Sequence, residues 1–190
     1  MLRVLLNQPD GSLTKYRIAK LSECSREWVI EFLRKLEAQG LVEQTKVLDH
    51  NGLIRLWSQI RLKPEHRDYM LRESLELLRK AELQYALTTY QAENLIQHYL
   101  FPSRTDLYIL EDERAKWHDL IVAEGGLVGK GNLRILITDD HVFYEAFKIQ
   151  GLTVASVPQL IVDLLTEGGP CVEAAQLLLE KMSSHALPAA

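Results

Sequence analysis

Only two cysteines occur in 190 residues, Cys24 and Cys171, far apart and without companions. That spacing excludes a disulfide framework and a thiolate metal cluster, and each thiol reads as a small buried apolar side chain. Long apolar runs are also missing. Nothing approaches the ~18–20 residues that a membrane-spanning helix needs, and the start, "MLRVLLNQPDGS", turns polar too soon for a secretory signal. A cytoplasmic protein with no membrane partner is therefore expected. Proline is scarce and no repeat of ~20–50 residues is visible, which excludes fibrous and solenoid classes. With 47% apolar and 25% charged residues, the chain has the makings of an ordinary globular protein.

A net charge of −4 argues against a nucleic-acid binder only if it is evenly spread. It is not. Residues 1–63 hold 11 Lys and Arg against 7 Asp and Glu, a net +4, whereas residues 64–190 hold 11 against 19, a net −8. A basic head precedes an acidic body.

In the head, Thr14 is placed to cap a helix carrying Ile18 and Leu21, and a four-residue break from Ser22 to Ser25 follows. Ser25 then caps a second helix, in "SREWVIEFLRKLEAQGLVE", with Val29, Phe32, Leu33 and Leu36 on one face and Gly40 as its stop. Beyond it, "LVEQTKVL" and "LIRLWSQI" read as strands joined by "DHNG", where Asn51-Gly52 suits a tight hairpin turn. Helix, turn, helix and hairpin predict a winged helix-turn-helix over residues 1–63. In that fold the second helix enters the major groove of double-stranded DNA.

At 100° per residue, Glu27, Glu31, Arg34 and Ala38 lie opposite the buried stripe, flanked by Arg26 and Ile30 on one side and Trp28 and Lys35 on the other. The expected DNA-facing set is Ser25, Arg26, Ile30, Glu31, Arg34 and Lys35. Arg17, Lys20, Lys46, Arg55 and Arg61 are expected on phosphates. Glu31 admits two readings: local pairing with Lys35 one turn on, or acceptance of a hydrogen bond from a cytosine amine.

"PEHRDYMLRESLELLRKAEL" reads as a connector helix over 64–84, starting at Pro64 with Leu71, Leu75 and Leu78 on its apolar face. Residues 85–182 alternate between helical and extended patterns, which predicts a layered α/β domain; the whole is then of α+β class. The tail 183–190, "SSHALPAA", reads as flexible.

The segments "YALTTYQAENLIQHYLFPSRTDLYI" and "LTVASVPQLIVDLLTEGGPCVEAAQLLLEKM" resemble the carboxy-terminal domain of the AbiEi-type antitoxins, the transcriptional-regulator half of type IV toxin–antitoxin pairs. The resemblance implies a winged helix that binds inverted repeats in its own promoter. It further implies a body related in fold to nucleotidyltransferases that opposes a separately encoded nucleotidyltransferase toxin without a stable complex.

The chemistry of such a transferase needs two carboxylates two apart on one strand, to hold a pair of metal ions. "TDLYIL" offers Asp106, but Tyr108 stands at the second position, and no catalytic residue or cofactor is expected. "GGLVGKGN" lacks the spacing of a phosphate loop and the hydroxyl after Lys130. Asp139 and His141 alternate on an extended chain and share a side, so with Asp106 they form a candidate ligand site. His118-Asp119, beside Trp117, is a weaker pair. A non-enzymatic DNA-binding regulator, working on adjacent half-sites as a homodimer or a cooperative pair, is the leading expectation. A nucleotide- or metal-binding enzyme and a winged-helix protein-interaction module are the alternatives.

Overall fold

The computed structural model describes residues 1–184; most of the expected flexible tail therefore lies outside the described residues. The head begins with a helix that the sequence reading did not assign, α1 (Leu2–Asn7), whose Leu2, Val4, Leu5 and Leu6 are all buried. The two expected helices follow as α2 (Lys15–Leu21) and α3 (Arg26–Ala38). Both start on the expected caps. The Thr14 hydroxyl accepts a hydrogen bond from the Arg17 amide, and that of Ser25 accepts from the Trp28 amide, each satisfying an amide that has no partner within its helix. Val29, Leu33 and Leu36 form the buried stripe of α3. Gly40, at φ +71°, turns the chain out of the helix.

The expected hairpin between residues 41–48 and 53–60 is not formed; a smaller one lies within the first of those two segments. Strands β1 (Val42–Glu43) and β2 (Lys46–Val47) pair antiparallel around Gln44 and Thr45, and Asp10 adds an isolated bridge to Lys46. The expected second strand, "LIRLWSQI", is instead part of α4 (His50–Ile60). Asp49 decides this: its carboxylate accepts from the Gly52 amide at 2.9 Å, drawing Asn51-Gly52 into the first helical turn rather than a hairpin. Leu53, Ile54 and Trp57 then fall on one buried helical face.

The expected connector helix over 64–84 is also corrected. Its first half is a strand, β3 (Glu65–Met70), and only α5 (Ser74–Lys80) is helical. β3 escapes sequence patterning because it buries a single side chain, Tyr69. Four of its other side chains, Glu65, His66, Arg67 and Asp68, are polar or charged.

The remaining elements are β4 (Ala86–Thr88), α6 (Thr89–Gln97), β5 (Thr105–Leu110), α7 (Arg114–Ala123), β6 (Leu127–Val128), β7 (Leu133–Thr138), β8 (Phe147–Ile149), β9 (Leu152–Val154), α8 (Val157–Glu167) and α9 (Pro170–Ser183). The strands from β3 onward form one mixed sheet, ordered β6-β3-β7-β5-β4-β9-β8. β5 runs parallel to β7 and β4 parallel to β9; the other neighbours are antiparallel. The class is mixed α+β, as expected.

α8 organises the molecule. Every residue from Pro158 to Leu164 is buried, because α1 and α4 pack on one side of it and α6 and α9 on the other. A helix enclosed this way is apolar nearly all round. Its exceptions, Gln159 and Asp163, stand one turn apart and meet polar partners from the head. Apolar side chains from Leu2 to Leu179 consequently form one continuous core across the expected boundary at residue 63.

Candidate functional site

The outward side of α3 carries the side chains picked out from its periodicity. Ser25, Arg26, Glu31, Arg34 and Lys35 are exposed and Ile30 is half-buried. Glu31 and Lys35 form an ion pair at 2.8 Å on the open surface, and that ammonium holds the Glu31 carboxyl below its ordinary range. The local reading of Glu31 is thus present in the free protein. Trp28 stacks on Phe32 with ring centroids 4.9 Å apart, which extends the apolar flank of the helix to the surface.

Arg17 and Lys20 on α2, Lys46 on β2 and Arg55 on α4 are exposed as well. None of Arg17, Lys20, Arg26, Arg34, Lys46 and Arg55 is in an ion pair among the described residues. Arg61 is different, and its expected phosphate role is corrected. Its guanidinium turns inward to the buried Asp163 carboxylate and donates to the Tyr108 hydroxyl at 3.0 Å. It is a structural cation that ties the end of α4 to α8.

The three residues of the expected ligand site do not converge in one pocket. Asp106 lines a cleft of about 220 Å³ together with Arg61, Arg104, Arg134 and Asp163, whereas Asp139 and His141 line a separate cleft of about 660 Å³ between head and body. Arg61, Tyr108 and Asp163 occupy the ground where the two clefts adjoin.

Asp106 is engaged from several sides. It is buried, Arg104 pairs with it through two nitrogens, and the Thr89 hydroxyl donates to it. Asp106 holds the Arg104 guanidinium even more firmly protonated than usual. On the same sheet face, Thr88, Asp106, Arg134 and Asp68 are successive cross-strand neighbours on β4, β5, β7 and β3. Arg134 closes on Asp68 at 2.8 Å and holds its carboxyl low. A divalent cation placed here would have to displace guanidinium groups from both carboxylates. Among the described residues, no group of three or more His, Cys, Asp and Glu side chains is arranged to hold a metal.

His141 has a defined role of another kind. Arg3 of α1, which has only donors, gives a hydrogen bond to its Nδ1, so that nitrogen carries a lone pair. Its Nε2–H therefore donates to the Leu21 carbonyl at the end of α2, at 3.0 Å. Burial and the neighbouring guanidinium lower the imidazole pKa, in keeping with this neutral form. The participation of Arg3, Arg61, Asp68, Arg104, Arg134 and Asp163 carried no signal in the chain's periodicity. Only their charge in otherwise apolar segments marked Asp163 and Arg134. Compared with known proteins, the chain matches no family model, no curated protein and no solved structure.

Proposed function

We propose that the chain is a DNA-binding transcriptional regulator. Its residues 1–63 act as a winged helix-turn-helix, and its body is a nucleotidyltransferase-like domain of the AbiEi antitoxin type that works without catalysis. The observation that carries this reading is the outward side of α3. There Arg26 and Arg34 stand exposed and free of ion pairs beside Ile30 and Glu31, on a helix preceded by a short turn and followed by a hairpin bearing Lys46. A helix so presented fits the major groove, with Arg34 or Arg26 directed at guanine or phosphate and the hairpin at the backbone. Arg17, Lys20 and Arg55 add exposed positive charge to the same head.

The chain acts by occupying an operator. A single head with so few phosphate contacts binds weakly, and two heads on half-sites about 34 Å apart gain through effective concentration. Neutralisation of Asp106 by Arg104 supports a body without transferase activity. Opposition to a nucleotidyltransferase toxin belongs to the same proposal and rests on the sequence resemblance.

The test is a mobility shift with the DNA upstream of the chain's own gene. Binding weakens steeply as salt rises, and Arg34→Ala reduces affinity by about 1–3 kcal/mol while the melting temperature stays put. Full affinity in Arg34→Ala would refute this placement of the reading face.

A further inference from the structure

The end of a sheet is normally guarded by charge, because its free backbone groups will pair with any strand that arrives. One end of this sheet follows that rule, since β8 carries the exposed Lys148 at its centre. The stretch of β3 from Glu65 to Arg67, which β6 leaves uncovered, is polar or charged as well. β6 itself is unguarded. It is the outermost strand at the other end, both its residues, Leu127 and Val128, are exposed, and Leu127 stands opposite the exposed Met70 of β3.

The register fixes where the free groups of β6 point. Tyr69 faces Val128, and the Gly129 amide donates to the Asp68 carbonyl at 3.0 Å. That bond makes Tyr69 and Val128 a non-hydrogen-bonded pair, so the N–H and C=O of Val128 both turn away from β3 to solvent. Opposite charges flank the strand: Glu124 at the close of α7 and Lys130 in the turn towards β7. Both are exposed, and neither is in an ion pair among the described residues. Nothing bulky screens the edge between them, since a Cβ at Gly125 or Gly129 would meet no atom within 4 Å.

We infer that β6 is a contact between two copies of this chain, paired antiparallel about a two-fold axis at Val128. Each Val128 then exchanges N–H···O=C bonds with its counterpart, and the two Leu127 side chains become diagonal neighbours on one face of the joined sheet. Antiparallel pairing also carries Lys130 of each copy towards Glu124 of the other, twice. A foreign strand would have to bring the same two charges in the reverse order; a second copy does so by symmetry. Two strands of this length bury less than the ~1,200 Å² of a stable interface, so the dimer is weak, with a Kd of about 10–100 µM. It does not depend on the chain binding DNA.

Sedimentation equilibrium of the full chain without DNA, from about 5 to 500 µM, tests this, and a monomer–dimer equilibrium is expected. Lys130→Glu turns two attractions into two repulsions and weakens the dimer about tenfold or more. The swapped variant Glu124→Lys/Lys130→Glu restores it to within about threefold of the wild type. Val128→Pro removes the outward N–H and abolishes dimerisation. Should Val128→Pro fail to fold, as judged by circular dichroism, the charge swap on exposed side chains decides. A monomer at every concentration, a dimer undiminished in Lys130→Glu, or a loss that the swap does not restore overturns the inference.

Discussion

The carboxylate of Asp163, in the middle of α8, is the shared acceptor for Arg61, which comes 102 residues earlier at the end of α4. Tyr108 and Gln159 donate to the same oxygen at 2.9 and 2.8 Å, and the Thr88 hydroxyl donates to the other. With side-chain exposures of 12% for Arg61 and 3% for Asp163, the pair is screened from water and holds head to body through charge as well as apolar packing.

Removing either end of this pair has unequal consequences. Asp163→Ala strands a buried guanidinium and three further donors, and is expected to cost about 3–5 kcal/mol. Arg61→Met leaves Asp163 with Tyr108, Gln159 and Thr88 and costs less. Urea unfolding of the two variants checks the order, and equal losses would contradict it.

Acid acts on the opposite side of the junction, at His141. Its folded-state pKa lies below its ordinary 6.5, so the unfolded chain takes up the proton first as pH falls. Stability is accordingly unaffected by this group above about pH 7.5 and declines as pH drops through 6.5 towards the folded value. The melting temperature of the wild type should fall more between pH 7.5 and 5.5 than that of His141→Asn, which has no imidazole to titrate.

Trp28 reports on α3 without a label. It is 46% exposed, while Trp57 and Trp117 are buried. Acrylamide quenching should therefore be dominated by Trp28, and operator DNA seated on the outward side of α3 should reduce it. Unchanged quenching in a saturated complex would place the DNA elsewhere on the head.

Gly131 tests the sheet. A Cβ at this position would lie 2.1 Å from the Tyr69 carbonyl oxygen of β3, a backbone atom that cannot yield as a flexible side chain does. Gly131→Ala is expected to destabilise the chain by more than about 2 kcal/mol, through overpacking against a central strand. Gly125→Ala, whose Cβ meets nothing within 4 Å but whose φ is +81°, carries only the backbone strain and should lose less.

Local chemistry explains what could be read from the sequence. The caps at Thr14 and Ser25, the stripe of α3, strands β5 and β7, and helices α8 and α9 each announce themselves through spacing or end residues within a few positions. α4 was hidden because Ile54, Leu56 and Ile60 fall at even spacings, as on one face of a strand, while Leu53, Ile54 and Trp57 repeat like a helix, and the choice fell to a single cap at Asp49. β3 was hidden because its own side chains are mostly polar and only Tyr69 is buried. The outward positions of α3 follow from rotation alone, so that candidate face was legible. The head–body junction was not, since Arg3 and Gln159 are 156 residues apart and no local pattern joins them.

The file of Thr88, Asp106, Arg134 and Asp68 across β4, β5, β7 and β3 also governs how the body assembles. A strand that slips by one residue turns over all its side chains. For β7 such a slip would drive Arg134 onto the buried face beside Leu107 and turn Leu133, Ile135 and Ile137 out of the core. The alternating charges therefore act as a key cut for one alignment, penalising every misregistered pairing of the central strands during folding.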